Sequence, residues 1–360
     1  MAALQLMAGE NALSQIREHG LRPALFDFML GASGGPKWFV LAGLDRVIMP
    51  QFFAGRQKPL DILGSSAGSF RFACYAQRDP LAAINRLAEH YSHTVYTDKP
   101  DRQEISEKGW ALMDHFLGEH GAQEIASNPV VRAHFVVARS KGIIASERTP
   151  LQVTGLLASA LANRMSRKTL DWFYHRHVFS SSHSTLQLDD PYQLAISQHP
   201  LTPENLPKAL MASGSIPVVL EGVENIPDAP LGMYRDGGII DYHFDMALSR
   251  PDSPQGLVLY PHFFDQPIPG WFDKSNKKRR PHRQSFERVL KLVPSAEFIA
   301  SLPYGKIPDR KDFESLDATT RIKYWQTVLS ESDRLGEEFM NLVEKQDVAH
   351  LIKPIDYCIG

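Results

Sequence analysis

LDILGSSAGSF, residues Leu60 to Phe70, starts as a short apolar run and turns at a Gly-x-Ser-x-Gly centred on Ser66. That pattern carries chemistry only where a strand leads in and a helix leads out. Both are expected: a strand ends near Leu63, and a helix follows through Arg71 and Tyr75. In that setting Gly64 and Gly68 tolerate close backbone approach, and Ala67 and Ser69 add little bulk around the hydroxyl. A helix starting here aims free N–H groups at the turn, where their partial positive charge steadies an oxyanion beside Ser66. A glycine-rich strand-to-helix turn without chemistry is the competing reading of the same residues.

On either side of this stretch, strands alternate with helices. ALFDFML, Ala24 to Leu30, reads as a buried strand and runs into the loop GASGG. A helix opens at Pro36, a favoured first-turn residue, with Val40, Leu44, Val47 and Ile48 as its apolar stripe. Another helix follows Pro80, and AHFVVAR, Ala133 to Arg139, reads as a strand. Such alternation predicts a mainly parallel sheet covered by helices on both faces, a three-layer α/β/α architecture. Residues from about Thr149 to Ser184 read as helical and then irregular. LVLY, Leu257 to Tyr260, reads as the last sheet strand. PHFFDQPIPGWFDKSNKKRRPHR reads as an exposed connection, and a long helix is expected from about Asp317 to Lys345. The N-terminal MAALQLMAGENALSQIREHGL reads as a short amphipathic helix.

Composition narrows the class. The 360 residues carry a formal net charge of -2, so no global field draws the chain to nucleic acid or membrane. Cys74 and Cys358 lack CxxC partners and read as reduced structural thiols. No apolar run reaches the ~18 residues of a membrane span, and Glu10, Arg17 and Glu18 interrupt the run a signal peptide needs. A soluble, cytoplasmic protein without a cofactor or metal is the expectation.

A serine nucleophile needs a base and donors for the developing oxyanion. Upstream, GASGGPK, Gly31 to Lys37, follows the first predicted strand. Gly34 and Gly35 can present unobstructed backbone N–H groups, while Pro36 has none. A phosphate cradle is the alternative, although the loop lacks the G-K-[ST] ending and the G-x-G-x-x-G spacing of nucleotide loops. Downstream, MYRDGGIIDYH places Asp236 after an apolar segment and before Gly237 and Gly238. This puts a carboxylate at a strand end on a turn that can approach another loop, or makes an ordinary Asp-Gly hairpin turn.

Together the three pieces resemble the patatin-like phospholipases, whose pattern is a G-G-x-[RK]-G loop, then G-x-S-x-G, then D-G-[GA]. Gly34-Gly35-Pro36-Lys37, Gly64-Ser65-Ser66-Ala67-Gly68 and Asp236-Gly237-Gly238 match in order. Met211 to Val223 resembles the small-residue and proline stretch before the family's aspartate. The likeness spans about Ala24 to Tyr260, and Trp38 stands where the family loop usually ends in glycine. It implies residues 1–265 as a patatin-like acyl hydrolase domain and residues 266–360 as a basic connection with a helical C-terminal extension. It implies a Ser66–Asp236 dyad, with Ser66 attacking a lipid ester and Asp236 accepting the proton. The amides of Gly34, Gly35 and Ala67 would hold the oxyanion, with Lys37, Gly64, Gly68, Gly237 and Gly238 supporting the motifs. Lys37 reads as a solvated lysine at a helix start, or as a contact for a lipid phosphate.

Other residues fit competing schemes. His243 is the nearest candidate for a Ser–His–Asp esterase, and a catalytically inactive lipid-binding protein on the same fold is a further alternative. His175 and His177 form an H-x-H pair, and Asp189-Asp190 reads as a turn before Pro191. Lys277, Lys278, Arg279 and Arg280 form a basic run, a solvated loop or a peripheral contact for anionic lipid.

Overall fold

The computed structural model describes residues 2–276, 278–345 and 348–359. Its strands are β1 Leu4–Ala8, β2 Phe26–Gly31, β3 Leu60–Ser65, β4 Val131–Ser140, β5 Tyr174–Ser181, β6 Gln187–Asp189 and β7 Ile196–Leu201. β8 Val223–Glu224, β9 Met233–Asp236, β10 Ala247–Ser249, β11 Leu257–Pro261, β12 Val289–Pro294 and β13 Lys353–Pro354 complete the set. Nine of them stand side by side in the order β13-β1-β12-β11-β2-β3-β4-β5-β7. Most neighbours are parallel; β1 with β12 and β4 with β5 run antiparallel. With helices flanking it, the sheet makes a three-layer α/β/α fold. Every residue of β2 and β3 is buried, as expected of parallel strands covered on both faces.

Two helices matter most for the site: α2 Ala42–Val47 follows the glycine loop, and α3 Ala67–Tyr75 follows the serine; α1 Glu10–His19 precedes them, and α4 Pro80–Ser92, α5 Arg102–Leu117, α6 Gly121–Ser127, α7 Thr149–Met165 and α8 Leu206–Gly214 follow. The seat of α3 is polar. Arg71, fully buried, donates to both carboxylate oxygens of Asp45 on α2 at 2.8 and 2.6 Å, and the Tyr75 hydroxyl adds 2.7 Å. A bidentate buried pair fixes orientation as well as distance, so the turn ahead of α3 is held in place.

Several sequence expectations change. The N-terminal segment is a strand, β1, before it is a helix, α1. Five apolar-rich residues cannot be told from a helix by period alone, and the strand's partner, β12, lies far along the chain. β11 is not the last strand, because β12 lies between it and β1. A boundary at 265/266 therefore divides the sequence but not the sheet, although most of the C-terminal region is helical.

The segment after Pro36 is three pieces, a 3₁₀ turn Gly35–Leu41, then α2, then a π turn Ile48–Phe52. The middle region does not dissolve into loop; β5 occupies Tyr174–Ser181. The long C-terminal helix breaks at Ser332 into Ala318–Glu331 and Asp333–Glu344. There the Ser332 hydroxyl donates back to Leu329 O at 2.7 Å and accepts the Gly43 N–H from α2 at 2.9 Å. The two backbones touch so closely that a Cβ on Gly43 would lie 2.0 Å from Ser332 O.

Candidate active site

The register of β4 brings the serine and the aspartate together. Along one edge β4 pairs with β3 as far as Ser65 opposite Val136. The next residue, Val137, pairs with Asp236 of antiparallel β9. Its other edge is taken by β5 from His134 to Ser140, so β9 continues the edge that β3 leaves. Ser66 and Asp236 thus meet head to head where two strand ends abut, although 170 residues separate them.

Ser66 stands at φ 54 and ψ -125, left-handed for a residue with a Cβ, between β3 and α3. Such strain persists only where the surroundings over-determine it. Here Gly68 supplies the fit: a Cβ on it would lie 1.8 Å from Gly31 O, so β2 and the first turn of α3 approach only through glycine. The Ser66 N–H donates to the Ser213 hydroxyl at 3.0 Å. Ser213, at the end of α8 (Leu206–Gly214), in turn donates to Val136 O at 2.7 Å.

The Ser66 hydroxyl donates to Asp236 Oδ2 at 2.8 Å, and the Gly238 N–H donates to Oδ1 at 2.7 Å. The Asp236 N–H is held by Ser215 O at 3.0 Å. Both carboxylate oxygens are therefore aimed. Burial pushes the Asp236 carboxyl up to about 6, against the pull of the Ser66 and Gly238 hydrogen bonds and the charges of Lys274 and Arg310. The residues after Asp236 form a 3₁₀ turn, not a hairpin. A Cβ on Gly237 would lie 2.2 Å from Val136 O, so this turn packs directly on β4.

The predicted oxyanion loop reaches the same place. Gly34 and Gly35 line one cavity with Ser66, Asp236 and Gly238. Gly35 opens its 3₁₀ turn and Ala67 opens α3. At those positions an N–H has no carbonyl of a preceding turn to bond. The loop is pinned by Ser33, whose N–H donates to Tyr242 O at 2.9 Å and whose hydroxyl lies 3.0 Å from that of Ser65. Gly64 sits in β3, within the parallel pair with β2 at Gly31. Trp38 does not disturb this arrangement. It turns into the core within the 3₁₀ segment, 5.1 Å from the Phe39 ring.

The cavity encloses about 490 Å³. Ile216, Ile239, Phe264, Ile268 and Trp271 make its apolar part, while Lys37, Lys274, Asp309, Arg310, Lys311 and Glu314 make a charged part. Two expectations are corrected here. Lys37 is not a solvated lysine; it pairs with Asp309 across the cavity. The Pro261–Arg283 segment is not a free connection, because Phe263 and Asp273 are buried and Ile268, Trp271 and Lys274 face the site. At the cavity, Lys274 is lowered to about 8 by partial withdrawal from water and by the charges of Lys37 and Arg310.

Histidine has no place beside Ser66. Among the described residues none lining the cavity is a histidine. His243 is fully buried, accepts the Ile268 N–H on Nδ1 at 2.8 Å, and stacks 4.2 Å from Tyr242. Burial drives it well below its ordinary value, so it stays neutral. His177, on β5, bonds and stacks on His199 at 2.7 Å between ring nitrogens, with the His175 ring tilted 4.7 Å from its own. No group of three or more ligating side chains suited to a metal occurs among the described residues. Of the expected Asp189-Asp190 turn, Asp189 instead ends β6; Asp190 does open a turn, and it also takes a buried ion pair from Arg176 at 2.8 Å. Of the basic run, Lys277 lies outside the described residues. Arg279 is committed to Asn163 O at 2.6 Å and to Asp273, leaving Lys278 and Arg280 exposed. Cys74 is buried and Cys358 half-buried, both free thiols.

Sequence reasoning missed Ser33, Ser213 and the cavity-lining Trp271, Lys274, Asp309, Arg310, Lys311 and Glu314. A serine that supports a backbone amide carries no motif, and the C-terminal contributors lie beyond the resemblance. No family model matches the chain, and no curated protein matches it in sequence.

Proposed function

We propose that the protein is a serine acyl hydrolase of the patatin-like type, cleaving carboxylic esters of lipids through a Ser66–Asp236 dyad. The observation that carries this reading is the 2.8 Å hydrogen bond from the Ser66 hydroxyl to a buried carboxylate, in a cavity that also holds the glycine loop. Ser66 Oγ attacks the ester carbonyl as its proton passes to Asp236 Oδ2. The carbonyl oxygen gathers charge beside the amides of Gly34, Gly35 and Ala67, where fixed dipoles need no reorganisation. Asp236 returns the proton to the departing alkoxide, leaving an acyl group on Ser66. Water, deprotonated by the same carboxylate, releases the acid and restores the hydroxyl. A carboxylate raised to about 6 is a better base than a solvated one and is still ionised at neutral pH.

The walls support a lipid ester. The apolar side suits an acyl chain, and the charged side carries four cations, Lys37, Lys274, Arg310 and Lys311, against Asp309 and Glu314. That excess suits the phosphate of a phospholipid. A cavity of about 490 Å³ falls within the ~300–1,000 Å³ of small-molecule sites.

The test is hydrolysis of phospholipids, lysophospholipids and short nitrophenyl esters by the wild type and by Ser66→Ala. Loss of all hydrolysis in Ser66→Ala is expected; hydrolysis that survives the change sinks the reading. On a short soluble ester, kcat/KM is expected to fall as pH drops through about 6, because protonated Asp236 accepts nothing. A limb near pH 4 instead would place the base on a solvated carboxylate.

A further inference from the structure

One helix of the fold is inside out. α7, Thr149–Met165, buries Gln152, Gly155, Ser159 and Asn163 against the protein. Surface helices ordinarily turn their apolar stripe inward. Here the stripe faces out: Val153, Leu157, Leu161 and Met165 recur every fourth residue. Leu157 is 61%, Leu161 68% and Met165 87% exposed, and Trp172 just beyond is 71% exposed. Exposed apolar surface of this extent marks an interaction site.

We propose that this outward face of α7 docks the protein on an anionic phospholipid bilayer. Charge selects the occupant. α7 contains no acidic residue, and Arg148, Arg164 and Lys168 stand exposed at its two ends. Lys278 and Arg280 are exposed close to the end of α7, because Arg279 between them donates to Asn163 O. Glu147, the acid adjoining the helix start, is already tied to Arg235 and Arg102. An apolar stripe edged by cations matches the boundary between acyl chains and anionic headgroups. A two-fold contact between copies would set these cations against each other.

The inner face of α7 links the docking surface to the site. Gln152 Oε1 accepts the Val218 N–H at 2.7 Å, next to Ile216 and Pro217 of the cavity wall. Asn163 Nδ2 donates to Asp273 Oδ1 at 2.7 Å, between the cavity residues Trp271 and Lys274. The helix thus bonds to two of the segments that carry the cavity walls. This deepens the lipid-ester reading and rests on it only for the substrate's source; docking needs no hydroxyl at position 66.

The experiment uses full-length Ser66→Ala protein, which leaves vesicles intact, and sediments it with phosphatidylcholine vesicles containing phosphatidylserine. Adding Leu157→Gln, Leu161→Gln and Met165→Gln is expected to lower the partition coefficient on the order of tenfold, as is omitting phosphatidylserine. On the wild-type background the same three changes are expected to leave the melting temperature nearly unchanged and soluble-ester turnover within about twofold of the parent, since the positions are exposed. Equal partition of parent and triple variant overturns the proposal, and so does a parent that ignores the vesicles. A parent dimer that the triple change converts to monomer in light scattering assigns the face to a second copy and also overturns it. Absent ester hydrolysis with intact vesicle binding would sink the catalytic reading alone.

Discussion

Asp236→Asn is expected to lower ester hydrolysis by about 10²–10⁴-fold, the usual contribution of a general base. The same change is expected to make the protein more stable. Asparagine keeps an oxygen for the Gly238 N–H and fits the space beside Ser66, but it removes a buried negative charge. The sign follows from the raised carboxyl. Below the unfolded-state value near 3.8 both states hold the proton, and the aspartate costs nothing. As pH rises from there to about 6 the unfolded chain ionises first, so stability is lost until the folded carboxyl also ionises. Above that window the penalty is on the order of 2–3 kcal/mol, and this is the gain expected for Asp236→Asn at pH 8. Urea unfolding at pH 8 and pH 4 checks it: the gain should be present at the first and small at the second. Loss of activity with lowered stability at both would mean that Asp236 is a structural group. The scheme gives His243 no part in proton transfer, so a folded His243→Ala protein should keep hydrolysing.

Gly68→Ala is expected to be among the most damaging single changes in the chain. The added methyl would sit 1.8 Å from Gly31 O and 2.2 Å from Gly31 C, and backbone cannot swing aside as a long side chain does. Either β2 and α3 separate or the turn at Ser66 gives up its left-handed dihedrals. Overpacking of this kind costs about 3 kcal/mol or more. The urea midpoint should drop accordingly, and whatever protein folds should have lost hydrolysis, since Ser66 no longer points at Asp236. An unchanged midpoint with full activity would mean that the turn is not built on this contact.

The reach of the sequence has a physical pattern. Ser66, Asp236 and the Gly34-Gly35 loop were legible because each sits at a local signal, a strand end joined to a glycine turn. β2, β3 and β4 were legible because each is a short, largely apolar run in a chain where strand-like runs alternate with helical patterns, and length and flanking turns favour a strand there. β1 and β12 were not, since each completes the other across most of the chain and neither is long. The break at Ser332 was invisible because the cause is a tertiary contact with Gly43, not a helix-breaking residue. Lys37 illustrates the same limit: its partner Asp309 lies 272 residues away, in a region that no motif connected to the site. The inverted polarity of α7 was in the letters, but only the fold says which side faces in.

Labelling with a fluorophosphonate, with the modified residue located by mass spectrometry, decides whether Ser66 is a nucleophile activated by Asp236. One adduct is expected, on Ser66, absent in Ser66→Ala and formed far more slowly in Asp236→Asn. A well-folded protein that takes no label, labels another serine, or reacts equally fast without the aspartate would contradict it.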